Sequence, residues 1–363
     1  MLVRSFLVSI IVIIVALFAS KSFHHKVLAG LSSLLGRSAI NNSLNSTTSS
    51  ILSDSMTSSS VNLFNSDKPK TPVYFFSHGG PTFMYPDDPF GEAGAYKAVS
   101  KVGKFIKKQL KPNFIIVVSA HWEGQGQIEI GVPKDTLGGD DENELIYDFY
   151  GFPSHMYKEQ FHSRGSVSLA KDIKKSLQEE GLDAKLTPRG IDHGVWVPFK
   201  VAFSTNKASD EHWDVDVPLV QVSLLHSDDF KVHRKLGHAL AKYRELGGVV
   251  ICSGMSVHNL RDLGVAASTG RTMPYVTPFN KLLTDAVSKS GDDRFASLED
   301  LKSDSKQLLY KAHPSLEHFM PIVVASGAAE NEPAKEIYNS AMLSLGWGVY
   351  QFGDYVSNDK EKI

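Results

Sequence analysis

Histidines recur in this chain at the points where short apolar runs end. The run PVYFFS leads to His78, NFIIVVSA leads to His121, and GGVVICSGMSV leads to His258. Because the carboxyl ends of parallel strands lie along one edge of a sheet, residues that are far apart in the chain can meet there. Imidazoles gathered at one edge could bind a divalent metal or exchange protons with a substrate. We therefore expect the chemistry at that edge.

The segment HPSLEHFMP adds a carboxylate and an imidazole, Glu317 and His318, just before another apolar run. Either could complete a three-ligand face with His78 and His121, which would leave other coordination positions open to water, substrate or dioxygen. We predict His318 as the ligand and Glu317 as a substrate-binding group, and the sequence leaves the choice between them open. The alternative is that His318 caps a strand without any metal.

Two further histidines have the surroundings of acid/base groups. His193 lies in RGIDHGVWVP, read as a loop, where Asp192 could orient it and Trp196 could offer a flat wall to an aromatic ligand. A histidine so placed could exchange a proton with a phenol. His258 could act either as a ligand or as the general acid/base. Trp122, next to His121, is predicted to line the same pocket as Asp192 and Trp196.

Apolar runs rich in Val, Ile and Phe alternate with segments in which apolar residues recur every three to four positions. The runs predict strands and the spaced segments predict helices. The predicted strands are 72–76, 113–119, 127–132, 184–188, 217–224, 248–253, 319–325 and 346–352. The predicted helices are 92–110, 166–180, 229–246, 278–289 and 298–311. The predicted fold class is α/β, with a central, mostly parallel twisted sheet, helices on both faces and the active site at the C-terminal strand edge.

Composition excludes several classes of function. The net charge is -2, with 38 Lys and Arg against 40 Asp and Glu, so no positive field attracts nucleic acid. The single cysteine, Cys252, excludes an internal disulfide and a cysteine-based zinc site. Any metal must therefore be held by imidazole and carboxylate groups.

The amino-terminal segment has the features of a targeting sequence. Arg4 precedes an uncharged apolar stretch that ends before Lys21. We expect residues 1–31 to be an uncleaved signal anchor that tethers the protein to the membrane of the endoplasmic reticulum or secretory pathway. The alternative is a mitochondrial presequence, because no acidic residue precedes Asp54.

The rest of the chain divides by composition. Residues 32–70 are rich in Ser, Thr and Asn and are expected to form a disordered tether, since they cannot bury enough apolar area to fold. The catalytic domain is expected at 71–356, and a charged tail at 357–363.

Six motifs together resemble a known family. SHGGP, SAHWE, YDFYGFP, IDHGVWVP, GMSVHNL and HPSLEHFMP occur in the order found in the LigB-type class III extradiol ring-cleaving dioxygenases. Within that family the chain is similar to the 4,5-DOPA extradiol dioxygenase branch, over about residues 72 to 352. The resemblance implies insertion of O2 into the ring of a small catechol, DOPA-like or other, next to its diol, which gives a ring-opened semialdehyde.

The resemblance also assigns roles to the histidines. It implies that His78 and His121 are the first two metal ligands and that His318 stands where the wider family often has glutamate. His258 is similar to the acid/base histidine, which in DOPA-type members is also assigned to the metal. His193 is similar to a second pocket histidine, and we predict it as catalytic together with His258.

The implied cofactor is one divalent metal per subunit, Fe(II) or Zn(II). Two histidines and a carboxylate suit Fe(II), whereas an all-imidazole site is equally acceptable to zinc, which has no redox chemistry with O2. The implied partners are a small catechol, O2 and the membrane. The alternatives are a zinc-dependent hydrolase and a non-catalytic metal-binding or regulatory protein on the same fold.

Overall fold

The computed structural model describes residues 63–64, 67–134, 142–204 and 212–356. The predicted signal anchor, nearly all of the predicted tether and the predicted tail lie outside these residues. Among the described residues, no helix has both the length and the apolar character needed to cross a bilayer.

Strands and helices alternate along most of the described chain. The strands are β1 (Val73–Ser77), β2 (Phe114–Gly124), β3 (Ile128–Val132), β4 (Ala184–Pro188), β5 (Leu219–Leu225), β6 (Gly248–Gly254), β7 (Val257–His258), β8 (Ala334–Tyr338), β9 (Ala341–Met342), β10 (Leu345–Gly346) and β11 (Val349–Phe352). The helices are α1 (Ala93–Phe105), α2 (Val167–Glu179), α3 (His193–Phe203), α4 (Phe230–Ala241), α5 (Leu263–Thr269), α6 (Val276–Val287), α7 (Gly291–Ser303), α8 (Lys306–Ala312) and α9 (Met320–Ala329). A π-helical turn, Ile106–Leu110, extends α1.

Eight strands form one sheet in the order β4-β3-β5-β2-β6-β1-β11-β8. The four central strands, β5, β2, β6 and β1, are mutually parallel, and the antiparallel pairings lie toward the two sides. This arrangement confirms the predicted fold class. It also brings the carboxyl ends of β1, β2 and β6 to the same edge.

Both faces of the sheet are covered. In β1, Val73 and Phe75 join an apolar core on one face, while Tyr74 and Phe76 join a core on the other. All four side chains are fully buried, which explains why these strands read as continuous apolar runs. Helices α2, α4, α6, α7 and α9 contribute to the first core, and α1 and α3 to the second.

The strand predicted over 319–325 is wrong, because Phe319 is the N-cap of helix α9 and the other residues belong to that helix. Every residue of α9 is buried, so its sequence has no polar face and no periodicity that distinguishes it from a buried strand. The helix packs against α4 and β6. Its amino-terminal end is thereby placed beside the carboxyl end of β6.

The sequence also failed to predict α3, α5 and β8, and the helix predicted over 298–311 is divided between α7 and α8. The segment with His193 is not a loop, since His193 is the first residue of α3 and Asp192 is its N-cap. Pro198 inside the helix hid it, because proline removes a backbone hydrogen bond and normally ends a helix.

Candidate metal centre

Three imidazoles from distant parts of the chain converge at the carboxyl edge of the sheet. His78 directly follows β1, His121 lies within β2, and His318 precedes α9. The Nε2 atoms of His78 and His121 are 3.0 Å apart, and those of His121 and His318 are 3.2 Å apart. The ring centroids of His78 and His318 are separated by 5.3 Å. Nε2 of His121 therefore lies close to Nε2 of both His78 and His318, and the candidate ligand atoms of His78, His121 and His193 also lie within 4.8 Å of one another.

These separations fit ligands of a single ion. Nitrogens about 2.1 Å from one ion are about 3.0 Å apart when the bonds meet at right angles and about 3.4 Å apart in a tetrahedron. The two measured Nε2–Nε2 distances, 3.0 and 3.2 Å, lie within this range.

The other ring nitrogen of each histidine has its own acceptor. Nδ1 of His78 lies 3.0 Å from Oγ of Ser253, and Nδ1 of His318 lies 3.0 Å from Oε1 of Glu317. Nδ1 of His121 lies 3.4 Å from Oδ2 of Asp148. A neutral imidazole that donates from Nδ1 keeps an unprotonated Nε2. The three lone pairs then face one another, and a cation between them removes their repulsion.

The orientation of Ser253 is determined by helix α3. Because Pro198 has no N–H, it cannot donate to the carbonyl of Gly194 one turn earlier. The hydroxyl of Ser253 donates to that carbonyl instead. Its oxygen is then the acceptor for Nδ1–H of His78, so a proline in a neighbouring helix helps to select the tautomer of a candidate ligand.

Asp148 serves two histidines at once. Its Oδ1 accepts from Nδ1 of His193 at 2.7 Å and from the backbone N–H of His193 at 2.9 Å, while its Oδ2 faces His121. The ring centroids of His121 and His193 are 4.0 Å apart. Nε2 of His193 is therefore unprotonated and close to the converging nitrogens, as a general base requires.

His258 is a further imidazole beside the converging histidines. Its ring stacks on that of His318, with centroids 3.6 Å apart and an interplanar angle of 17°. The candidate ligand atoms of His258, Glu317 and His318 all lie within 4.8 Å of one another. Since Glu317 holds Nδ1 of His318, its observed place is beside the third imidazole.

A local irregularity in β2 places His121. The pairing of β2 with β5 is regular up to Val118 and shifts before it resumes at Glu123. Such irregularities redirect side chains at the end of a strand. At the end of β1, Gly79 has a φ of 60°, and a Cβ there would lie 2.2 Å from the ring of Trp347. Only glycine allows the sharp turn that follows His78.

Comparisons with known proteins match most of the chain. Residues 72–350 match the family model described as the catalytic LigB subunit of aromatic ring-opening dioxygenase. The chain belongs to this family. It is 31% identical over 289 residues to a 4,5-DOPA dioxygenase extradiol-like protein of Schizosaccharomyces pombe, a match that covers 76% of this chain and 91% of the relative.

A second relative and a solved structure extend the comparison. The chain is 32% identical over 292 residues to the 4,5-DOPA dioxygenase extradiol of Beta vulgaris, with coverage of 78% of this chain and 95% of the relative. The crystal structure of an uncharacterized protein from Escherichia coli K12 superposes with a TM-score of 0.58 at 24% identity. The superposition covers 78% of this chain and 99% of that protein, and it supports the fold class described above. The family resemblance inferred from the six motifs is thus confirmed.

Enzymes of the LigB family use a divalent metal, and the residues of this chain fit one. The donor set, three imidazoles with tautomers selected by Ser253 and by two carboxylates, is suited to iron and to zinc alike.

Burial favours the neutral form of four imidazoles in this LigB-family site. Burial lowers the pKa of His78 and of His318 well below the usual value, and the charges of neighbouring histidines act in the same direction. For His258, burial lowers the pKa to about 4, although Glu317 opposes the shift. Burial also lowers the pKa of His193, against the charge of Asp148. Neutral imidazole is the form that binds metals and accepts protons.

The pKa of Asp148 is lowered well below its usual range. Burial alone would raise it, but the positive charge that His193 carries when it is protonated, together with hydrogen bonds from His121 and His193, outweighs burial. The carboxylate therefore remains ionised and accepts from both rings.

Three predicted substrate-binding residues have other contacts. Asp192 is fully buried and accepts from Oγ of Ser119 at 2.7 Å, and Asp148 rather than Asp192 holds His193. Trp196 is fully buried, and its indole N–H donates to the carbonyl of Ile146. Both side chains make these contacts within the fold, and their role in substrate binding stays a prediction.

Trp122 follows His121 in the stretch of β2 where the pairing with β5 is irregular. Its ring is covered by the guanidinium of Arg189, 4.4 Å from the ring centroid. Its role in substrate binding stays a prediction.

Asp148 is the residue that sequence reasoning missed. It lies in YDFYGFP, one of the six motifs of the family resemblance, but no residue of this motif was predicted to be catalytic, metal-binding or substrate-binding. The available signal was a single acidic residue surrounded by aromatic residues, a setting in which a carboxylate needs a partner.

Proposed function

We propose that this protein is a metal-dependent extradiol dioxygenase that inserts O2 into the ring of a small catechol, DOPA-like or similar, next to its diol. The observation that carries the proposal is the convergence of the Nε2 atoms of His78, His121 and His318 beside the imidazole of His193. The names of its relatives, 4,5-DOPA dioxygenase extradiol and extradiol-like protein, agree with a catechol substrate.

In this proposal His78, His121 and His318 hold the ion. A divalent ion there would supply Lewis acidity to the catechol hydroxyls, and iron would also supply the redox chemistry that O2 requires. Ser253, Asp148 and Glu317 keep the three imidazoles in the binding tautomer and fix their ring planes.

His193 takes the proton from a catechol hydroxyl at Nε2. Its Nδ1–H donates to Asp148, so the carboxylate stabilises the imidazolium that forms. The same imidazolium can return the proton when the ring opens. His258 stands on the other side of His318 and is proposed as a further ligand or as the second acid/base group.

A second candidate follows from the same donor set. Three imidazoles also form typical catalytic zinc sites, and a zinc ion held by His78, His121 and His318 would supply Lewis acidity for the hydrolysis of an ester or amide. The proposed dioxygenase and this zinc-dependent hydrolase differ in whether O2 is consumed.

The test compares the full chain loaded anaerobically with Fe(II) or with Zn(II). After addition of 3,4-dihydroxyphenylalanine and air-saturated buffer, we expect the iron form to consume one O2 per catechol and to form an absorbing ring-opened semialdehyde. The zinc form should consume none. An iron-loaded protein that binds the catechol without consuming O2 would contradict the proposal.

Two variants separate chemistry from metal binding. His193→Gln should retain metal and lose activity by about 10²- to 10⁴-fold, the usual contribution of a general base. His238→Ala removes an exposed imidazole paired with Glu180 and Glu330 and serves as the control with unchanged activity.

A further inference from the structure

A second group of imidazole and carboxylate side chains lies on the surface, apart from the candidate metal centre. Glu142, His162 and His212 have candidate ligand atoms that all lie within 4.8 Å of one another. One carboxylate oxygen of Glu142 bonds to Nδ1 of His162, and the other lies 3.7 Å from Nε2 of His212. The two imidazole centroids are 5.2 Å apart.

The backbone holds these three residues close together. The segments that carry Glu142 and His162 are joined by a bridge between Glu142 and Arg164 and by the hydrogen bond from Asn143 N to Ser163 O, 2.8 Å. His162 in turn is bonded twice to Asp214. Asp214 N donates to His162 O at 2.9 Å, and His162 N donates to the Asp214 carboxylate at 2.8 Å.

This scaffold matters because the cost of gathering ligands is mainly the loss of backbone and side-chain freedom. Because the three segments are hydrogen-bonded to one another, their backbone conformational freedom is already lost in the folded protein. The side chains themselves remain accessible, with exposures of 41% for Glu142, 36% for His162 and 60% for His212. An ion can therefore enter from solvent, and small rotations suffice to surround it.

We propose that Glu142, His162 and His212 form a second, surface site for a divalent transition metal of the zinc class. Two imidazoles and one carboxylate are the donor set of many zinc sites, in which water takes the fourth position. Calcium and magnesium prefer all-oxygen surroundings, so this set selects against them.

The site has a structural consequence for the candidate centre. Glu142 begins the segment that ends at Asp148, and Ile191 N donates to Glu144 O within it at 2.8 Å. An ion bound at Glu142 fastens the start of this segment to the segments of His162 and His212. Zinc at this site therefore stabilises the part of the chain that presents Asp148.

The alternative is that Glu142 pairs with the two imidazoles without any metal. Zinc binding distinguishes the two arrangements directly. In the experiment the full-length protein and its variants are dialysed against the same free zinc concentration, and bound zinc is counted by elemental analysis. We expect the wild type to hold one more zinc per chain than His212→Ala.

Two further variants make the result specific. Glu142→Gln should lose the same zinc, because an amide is a much poorer ligand than a carboxylate. His238→Ala is the matched control, since His238 is 58% exposed and lies near two carboxylates but belongs to no group of three potential metal ligands among the described residues. It should keep the wild-type zinc content.

The double variant His78→Ala/His121→Ala tests independence from the candidate metal centre. It should still lose one zinc when His212→Ala is added. If His212→Ala and Glu142→Gln both bind as much zinc as the wild type, the surface site is refuted. The same conclusion follows if His238→Ala loses as much zinc as His212→Ala, because the loss would then reflect exposed imidazole in general.

Discussion

At the scale of single residues, Asp148 connects metal binding to proton transfer. Its two oxygens accept from His193 and face His121, so one ionised carboxylate selects the tautomer of both rings. Asparagine at this position has one acceptor and one donor group, and the donor would favour the wrong tautomer in one imidazole. We expect Asp148→Asn to lower metal affinity by about 10- to 100-fold, and catalytic activity with it. Metal competition titrations and kcat at saturating metal measure the two effects separately.

The control at this scale is Asp192→Asn. Asp192 is more deeply buried than Asp148, and it accepts from Ser119, Gln221 and Arg189 rather than from an imidazole. A loss of stability alone should appear in both variants as a lower melting temperature, whereas weaker metal binding should appear only in Asp148→Asn. Equal metal affinity of Asp148→Asn and the wild type would remove Asp148 from the proposed role.

At the scale of elements, the contact between α3 and β2 determines where His121 points. A Cβ on Gly194 would lie 2.5 Å from Oγ of Ser119 and 2.8 Å from Cδ2 of His121. We expect Gly194→Ala to displace His121, to lower metal content and to cost about 1–3 kcal/mol of stability through overpacking. Elemental analysis and urea unfolding check the two effects. Gly80→Ala is the control, since its nearest contact would be an ordinary 3.5 Å to Phe152.

The same elements show how far the sequence could predict the fold. The runs that became β1, β2 and β6 were predictable because strands buried on both faces need continuous apolar residues. Helix α9 was not predictable, because a helix buried all round lacks the polar face that reveals a helical period. Helix α3 was hidden by Pro198, whose missing hydrogen bond is compensated by Ser253 from another element.

At the scale of the whole molecule, the sheet topology explains why the site was largely predictable. Once β1, β2 and β6 were expected to be parallel, the histidines that follow or end them had to share one edge. The contributions of Asp148 and Ser253 depend on which segments lie beside that edge. Such contacts follow from packing between distant elements and leave no local pattern in the chain. For the same reason, the sequence could not show that Trp196 and Asp192 are buried within the fold.

The pH dependence of stability provides a final prediction for the whole molecule. His313 is fully buried, its Nε2–H donates to the carbonyl of Ser256 at 3.0 Å, and burial lowers its pKa to about 3. The unfolded chain binds a proton at this histidine below its usual value of 6.5, whereas the folded chain does not until about 3. The stabilisation that comes from keeping His313 neutral is therefore present above pH 6.5 and is lost as the pH falls from 6.5 toward 3.

Lowering the pH from 7 to 5 should reduce the free energy of unfolding by about 2 kcal/mol through this single group. In His313→Gln, whose amide can still donate to Ser256, the acid-dependent loss should be smaller by that amount, even if the variant is less stable at neutral pH. Urea unfolding at the two pH values, with both proteins carrying the same metal, measures the difference. Parallel losses in the two proteins would mean that His313 takes up its proton in the folded state, and that its burial does not contribute to acid lability.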